Sequence, residues 1–361
     1  MTKVYNFNAG PAILPRPVLE RAQQELLDYG GRGISVMEMS HRSKEYEAIN
    51  AEAETRFKRL LKLDESYRVL FIQGGASLQF AMVPLNFLPA NGTVDLLMTG
   101  SWSEKAKEEA AKIGKVHEAA STETEHYCRI PLPEEIHLSD NPAYVHMTSN
   151  ETIHGVQWHD WPEVGDRPLV ADMSSDILSR PFDATKFDLI YAGAQKNLGP
   201  SGVTAVLIRQ SWMETAAKTP PTMLRYATYA KNNSLYNTPP SFGVYLLNLV
   251  LGWIEDSGGL EGMAQRNERK ASAIYAAIDN SGGFYRGHAA LDSRSLMNVT
   301  FRLPSEALEK QFVTEATAAD MIGLAGHRSV GGIRASIYNA MDQEGCEALA
   351  SFMQEFARHN G

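Results

Sequence analysis

The chain has 361 residues, 43% hydrophobic and 21% charged, with a formal net charge of −9. This is ordinary globular composition, with enough apolar material for a core and length for about two domains. The negative balance argues against bulk-charge binding of nucleic acid or an anionic membrane. The two cysteines, Cys128 and Cys346, have neither metal-type spacing nor the density of a disulfide framework, so no metal site is expected. No apolar signal core opens the sequence, and the longest apolar stretch, Val244 to Ile254, is too short to span a bilayer. A soluble, cytoplasmic protein is the expectation.

The first predicted helix covers Arg16 to Tyr29, with Val18, Leu19, Ala22, Leu26 and Leu27 on one face and Gly30-Gly31 as its stop. A second amphipathic helix runs through Tyr46, Ile49, Ala53, Phe57, Leu60 and Leu61. Val69 to Ile72 reads as a strand, followed by the turn Gln73-Gly-Gly-Ala-Ser77 and a helix from Leu78. Val94 to Met98 is the next strand, and Ser101 with Glu104 suggests a capping box for a helix over Lys105 to Ile113. Further strands are expected at Tyr144–Met147, Leu169–Ala171, Phe187–Ala192 and Val203–Ile208. Alternating strands and helices predict an α/β fold whose mostly parallel central sheet is covered by helices on both faces. After Trp253 the pattern changes. Glu255 to Gly259 is a break, a long helix runs from about Leu260 to Ile278, and a strand at Leu296–Phe301 and helices at Glu306–Thr317 and Asp342–Ala357 follow. The expected division is a large domain over 16–258 and a smaller α+β domain built from 1–15 and 259–361.

The chemistry concentrates at strand ends, where open α/β sheets bind ligands. Lys196 lies just past the apolar run 187–192, among Ala192, Gly193, Ala194 and Leu198, and is followed by Gly199-Pro200-Ser201-Gly202. These neighbours suit a solvated charge poorly and suit an amine held in a crevice, able to carry an aldehyde cofactor as a Schiff base. Gly74-Gly75-Ala76-Ser77 between strand and helix can cradle a phosphate. Trp102, in Thr99-Gly-Ser-Trp102, offers an indole to a planar ring. Asp172 ends a very apolar strand, and a buried carboxylate needs a cationic partner such as a protonated pyridine nitrogen. Asn237 and Thr238 precede Pro239-Pro240 in what reads as an ordered loop before a helix. Each feature alone has an ordinary reading as a turn, a core tryptophan or a capping aspartate. Their order on successive strands matches what pyridoxal 5′-phosphate requires.

With these motifs in place, the chain resembles the class V aminotransferases, pyridoxal-phosphate enzymes of fold type I, and among them the phosphoserine aminotransferases. The resemblance spans the full length. It is carried by Phe7-Asn-Ala-Gly-Pro11, Met37-Glu-Met-Ser-His-Arg42, the motifs above, Ser295-Leu-Met-Asn-Val-Thr300 and the run from Gly326-His-Arg-Ser to Asn339. It implies that Lys196 carries the cofactor, Trp102 stacks on its ring and Asp172 pairs with its nitrogen. Gly75, Ala76, Ser77 and Gln195 would hold the phosphate, and Thr152 would sit by the ring hydroxyl. Asn237 and Thr238 would complete the phosphate site from the other subunit of a homodimer. Arg334 would take the substrate α-carboxylate, and the pairs His41/Arg42 and His327/Arg328 the distal anion. The implied reaction moves an amino group between glutamate and 3-phosphohydroxypyruvate, giving 2-oxoglutarate and phosphoserine for serine biosynthesis. In some bacteria the family also serves vitamin B6 synthesis through a phosphorylated hydroxythreonine.

The substrate chemistry fits that implication. Both donors carry an α-carboxylate and a distal anion, and the planar fork of arginine suits carboxylate and phosphate alike. An alanine–glyoxylate type aminotransferase is the alternative, but it has no use for distal-anion residues. A cysteine desulfurase needs a nucleophilic cysteine on a loop, and neither Cys128 nor Cys346 has that context. A nucleotide-binding kinase would need Gly-Lys-Ser/Thr where this chain has Gly-Gly-Ala-Ser.

Overall fold

A computed structural model describes residues 3–361. Its central sheet comprises β2 (Tyr67–Ile72), β3 (Thr93–Met98), β4 (Lys115–Ser121), β5 (Val145–Thr148), β8 (Leu169–Asp172), β9 (Leu189–Gly193) and β10 (Thr204–Arg209), ordered β2-β10-β9-β8-β5-β3-β4. Only β10 runs against its neighbours; β3, β4, β5, β8 and β9 are parallel, and β2 shares their direction because it too is antiparallel to β10. The carboxyl ends of these six strands therefore share one edge.

Alternation along the strands sends side chains into two separate layers. Val69 and Phe71 join Leu97, Met147, Ala171 and Leu207 under α1 (Arg16–Glu25), α2 (Lys44–Leu60) and α7 (Ser241–Asp256). Leu70 and Ile72 join Leu96, Met98, Val170 and Val206 under α3 (Gly75–Phe87), α4 (Ser101–Ala110) and α6 (Tyr226–Lys231), with the single turn α5 (Gln210–Met213) beside them. A further cluster packs α8 (Gly259–Asp279), α9 (Glu306–Ala318) and α10 (Gln343–Asn360) against the small sheet of β11 (Arg286–Gly287), β12 (Asn298–Arg302) and β14 (Ile333–Ser336). Phe7 joins that cluster, and β1 (Tyr5–Asn6) pairs with β13 (Met321–Ile322). The short hairpin β6 (Asn150–Glu151) and β7 (Val156–Gln157) lies beside the carboxyl edge of the central sheet.

Three expectations need correction. α1 ends at Glu25 rather than Tyr29, because Glu25 accepts the Tyr245 hydroxyl and the chain turns so that Tyr29 meets Tyr245 edge-on, ring centroids 6.0 Å apart. Of its expected apolar face, only Val18 and Ala22 are buried; Leu19, Leu26 and Leu27 are exposed, Leu27 at 83%. α4 starts at Ser101 itself, so the Ser101/Glu104 capping box does not form, and a carboxylate distant in sequence holds that helix start instead.

Candidate active site

The carboxyl edge brings the strand-end motifs together. After β2, Gly74 takes a left-handed conformation (φ 95°) and α3 begins with no side-chain cap. A Cβ on Gly74 would lie 2.6 Å from Leu78, so the turn closes only over glycine. The uncapped first turn leaves amides around Gly75, Ala76 and Ser77 available to an anion. Gly193, the last residue of β9, faces the same spot: a Cβ there would lie 2.9 Å from the Gln195 side-chain oxygen and 3.5 Å from the Ala76 amide nitrogen. Ala76 and Gln195 are therefore neighbours.

Asp172 is the last residue of β8, and Lys196 lies in the turn after the adjacent parallel strand, β9. Burial pushes the Lys196 amine below its ordinary value, opposed chiefly by the negative charge of Asp172. Burial likewise raises the Asp172 carboxyl, opposed by Lys196 and by hydrogen bonds from Ser174, whose amide donates to Asp172 Oδ1 at 2.9 Å. The Lys196 Nζ lies 5.1 Å from the centroid of the Trp102 ring. The Trp102 Nε1 donates to Thr152 Oγ1 at 2.9 Å, which fixes the indole in its plane. Lys196, Asp172, Trp102 and Thr152 thus form one group within a single chain.

The turn carrying Lys196 is pinned from two sides. From above, the Ala12 amide donates to Gln195 O at 2.8 Å, and a Cβ on Gly10 would lie 3.7 Å from the Lys196 side chain. From below, Asn197 donates to Ser175 O and Ile177 O and accepts the Asn339 amide at 3.0 Å. Asn339 also donates to Leu178 O at 2.9 Å and accepts Asn267 Nδ2 at 2.8 Å. These asparagines escaped the sequence reading of function. Their partners lie 20 to 161 positions away along the chain, so no local pattern announces them.

The anion residues divide into two groups. Arg334 sits on β14 opposite Thr300, donates weakly to Thr152 O at 3.5 Å, and has a buried Nε with no partner among the described residues. It lines a cavity of about 380 Å³ with His327, His126, His154, His288 and Thr300. Burial, with Arg334 and Arg328 nearby, holds His327 below the usual histidine range. Arg328 faces a neighbouring groove beside Arg302 and Glu309. His41 and Arg42 line a separate groove with Asn50, Glu54, Arg68 and Asn233, and neither joins the Lys196 group. Arg42 is exposed, while His41 Nε2 is buried without a partner among the described residues. Asn237 and Thr238 form a loop in which the Thr238 carbonyl accepts Gln73 Nε2 at 3.4 Å and Asn237 Oδ1 is buried with no partner among the described residues. Among the described residues no cluster of three or more His, Cys, Asp or Glu side chains could hold a metal ion, and no helix is long and apolar enough to cross a membrane.

The sequence model of the family described as "Aminotransferase class-V" matches residues 4–349. The chain is 67% identical over 358 residues to the phosphoserine aminotransferase of Herpetosiphon aurantiacus, covering 99% of each. Among solved structures it is similar to phosphoserine aminotransferase from Bacillus circulans subsp. alkalophilus, with TM-score 0.98, 60% identity and 99% of each chain covered. It is also similar to the PLP-bound phosphoserine aminotransferase of Trichomonas vaginalis, with TM-score 0.93, 38% identity and coverage of 98% of this chain and 100% of that one.

Proposed function

The chain belongs to the class V aminotransferase family, and from that premise we propose that it is a pyridoxal-phosphate-dependent transaminase. It would move an amino group between glutamate and 3-phosphohydroxypyruvate, yielding phosphoserine and 2-oxoglutarate in serine biosynthesis. One observation carries this reading: a buried carboxylate at the end of β8 and a buried lysine in the turn after the adjacent parallel strand β9 lie beside an indole and an uncapped helix start.

The site fits the cofactor on its own terms. Asp172 is a buried carboxylate suited to a ring cation, Trp102 is a face for the ring, and the amides at the start of α3 suit the phosphate arm. When bound, pyridoxal phosphate supplies an aldehyde for covalent capture of amines and a ring that withdraws electrons from the substrate Cα. Lys196 Nζ would be the covalent tether. Once displaced by the substrate amine, it would take the proton from Cα and deliver it to the carbon that was the aldehyde, which moves the amino group rather than restoring the donor. Burial lowers the proton affinity of this amine, which favours the neutral form that the task needs. Asp172 would face the ring nitrogen, whose positive charge would favour the ionised carboxylate against the burial that raises it. Arg334 receives the α-carboxylate shared by both amino acids, and its unpaired Nε is a donor awaiting an acceptor. His327 and Arg328 flank the distal anion.

His41, Arg42, Asn237 and Thr238 enter this reading as contributions across a homodimer interface. Support comes from the separate groove that His41 and Arg42 line, from the buried atoms of His41 and Asn237 that have no partner among the described residues, and from the exposed Leu19, Leu27, Ile34 and Met37 near His41 in sequence. The two-part division into 16–258 and 1–15 with 259–361 belongs to the same reading, supported by the separate core around α8, α9 and α10. So does a cytoplasmic setting, which suits the two free cysteines.

The test is the half-reaction. The yellow holoenzyme should bleach on adding phosphoserine and recover with 2-oxoglutarate, and alanine should be a poor donor. Lys196→Ala should abolish turnover, at least about a thousandfold. Bleaching by alanine but not phosphoserine would favour the alanine–glyoxylate alternative.

A further inference from the structure

Glu151 is a fully buried carboxylate that belongs to no motif in the sequence and to no step above. Its two oxygens accept main-chain amides at the start of α4: Oε2 from Trp102 N at 3.1 Å and Oε1 from Ser103 N at 3.0 Å. That start is otherwise poorly served, because Gly100 at the cap position has no side chain. Ser103 Oγ helps only the preceding turn, accepting Thr99 N and Gly100 N at 3.0 Å each. The carboxylate is wedged in place: a Cβ on Gly100 would lie 2.6 Å from Glu151 Cδ and 2.7 Å from Oε2. A negative group at a helix start is favoured by the helix dipole, and two amide bonds repay part of the cost of burying it. Burial still pushes the carboxyl up to about 7, and Asp172 adds to the rise.

The neighbours of Glu151 give this cap a purpose. Thr152, the next residue, accepts the Trp102 indole. Asn150, the residue before, donates to Ser175 Oγ at 2.8 Å and Asn298 Oδ1 at 2.9 Å, and its own carbonyl accepts Ser175 Oγ. Residues 150–152 therefore grip Trp102 by its main chain and by its ring, and are themselves anchored to the turn after Asp172.

We propose that Glu151 is the positioning residue for Trp102, fixing the indole's backbone so that the ring stands over the cofactor site. The proposal rests on Trp102 being the cofactor's stacking face, as in the reading above. It is tested with Glu151→Ala and Glu151→Gln by two measurements: amide exchange of segment 99–104 in the cofactor-free protein, and cofactor retention with visible circular dichroism in the holoenzyme. In Glu151→Ala, segment 99–104 should exchange faster than in wild type while distant helices do not. Cofactor retention should fall about tenfold, with a weakened dichroic band. Glu151→Gln keeps one oxygen acceptor and should fall between. Gly100→Ala should mimic Glu151→Ala, and the two changes should not add.

Exchange and dichroism unchanged in both variants would overturn the proposal. So would faster exchange spread evenly over the fold with a normal dichroic band, since that marks general destabilisation only. If Glu151→Ala does not fold, Glu151→Gln decides by the same criteria. A colourless wild type would sink the cofactor reading, while the cofactor-free exchange would still judge the hold of Glu151 on Trp102.

Discussion

Asp172 and Lys196 follow neighbouring strands of one ladder, and the side chains around them are hydrogen-bonded within the same chain. The proposed distal-anion residues are arranged otherwise: His327 and Arg328 ride a glycine-rich turn beside β14, and His41 and Arg42 open on another groove altogether. In the proposed reading the cofactor side lies mostly within one protomer, with Asn237 and Thr238 as its contribution from the partner, whereas the substrate side draws on loops of both. Rigid parallel strands suit groups that must hold one geometry through every turnover. Loops drawn from several elements suit groups that must accept both a carboxylate and a phosphate in the same seat.

The largest expected effect that tests this contrast is genetic. Arg42→Ala and Lys196→Ala should each be inactive as homodimers. Mixed and reassociated one to one, they should recover about a quarter of wild-type activity, because half the dimers are hybrids and each hybrid has one intact site. Assay of the mixture decides it; no recovery would return Arg42 to its own chain or to the surface.

Next in size is Arg334→Ala. Both amino-acid donors present an α-carboxylate, so kcat/KM for phosphoserine and for glutamate should fall together by about 2–4 kcal/mol. A loss confined to one donor would move Arg334 to the distal group and blur the line between the two sides.

The smallest effect compares two buried amines. Lys196 faces the site, whereas Lys270 on α8 lies under the segment that follows β14, donating to Ile337 O at 2.8 Å and Tyr338 O at 2.6 Å. Burial brings its pKa down to about 7. As a neutral amine it has two N–H bonds for two carbonyls. Between this value and the ordinary 10.5 the unfolded chain binds the extra proton, so stability should rise with pH across that window by up to about 1.4 kcal/mol per unit. Lys270→Met should flatten the slope in urea titrations at pH 7.5 to 9.5 (roughly the middle of the window). An equal slope in both proteins would show that the amine stays charged in the fold.

The cofactor side was far more legible in the sequence than the substrate side. β2, β3, β8 and β9 announce themselves as apolar runs, and Gly74-Gly75, Asp172 and Lys196 stand where those runs stop. Seven strands are not legible as apolar runs: β1, β6, β7, β11 and β13 have only two residues each, and β4 and β14 are hidden for other reasons. β4 is an edge strand whose Lys115, Glu118 and Ser121 face water, and β14 has four residues and takes its register from β12. The helix cap on α4 was misread because a local Ser101/Glu104 pair imitates one, while Glu151 acts from about fifty positions away. The apolar face of α1 was legible as a pattern, but a pattern does not say which face finds a partner within the chain.

The single antiparallel strand has a mechanical meaning. Because β10 returns directly beside β9, the segment from Ala194 to Val203 is a hairpin tip, clamped by a ladder at either root, with no helical crossover to carry it away. Such a tip has little room to swing. Whatever travel the amine of residue 196 needs must come from its own four-carbon stem, so the reagent is returned to its starting position by the length of its leash.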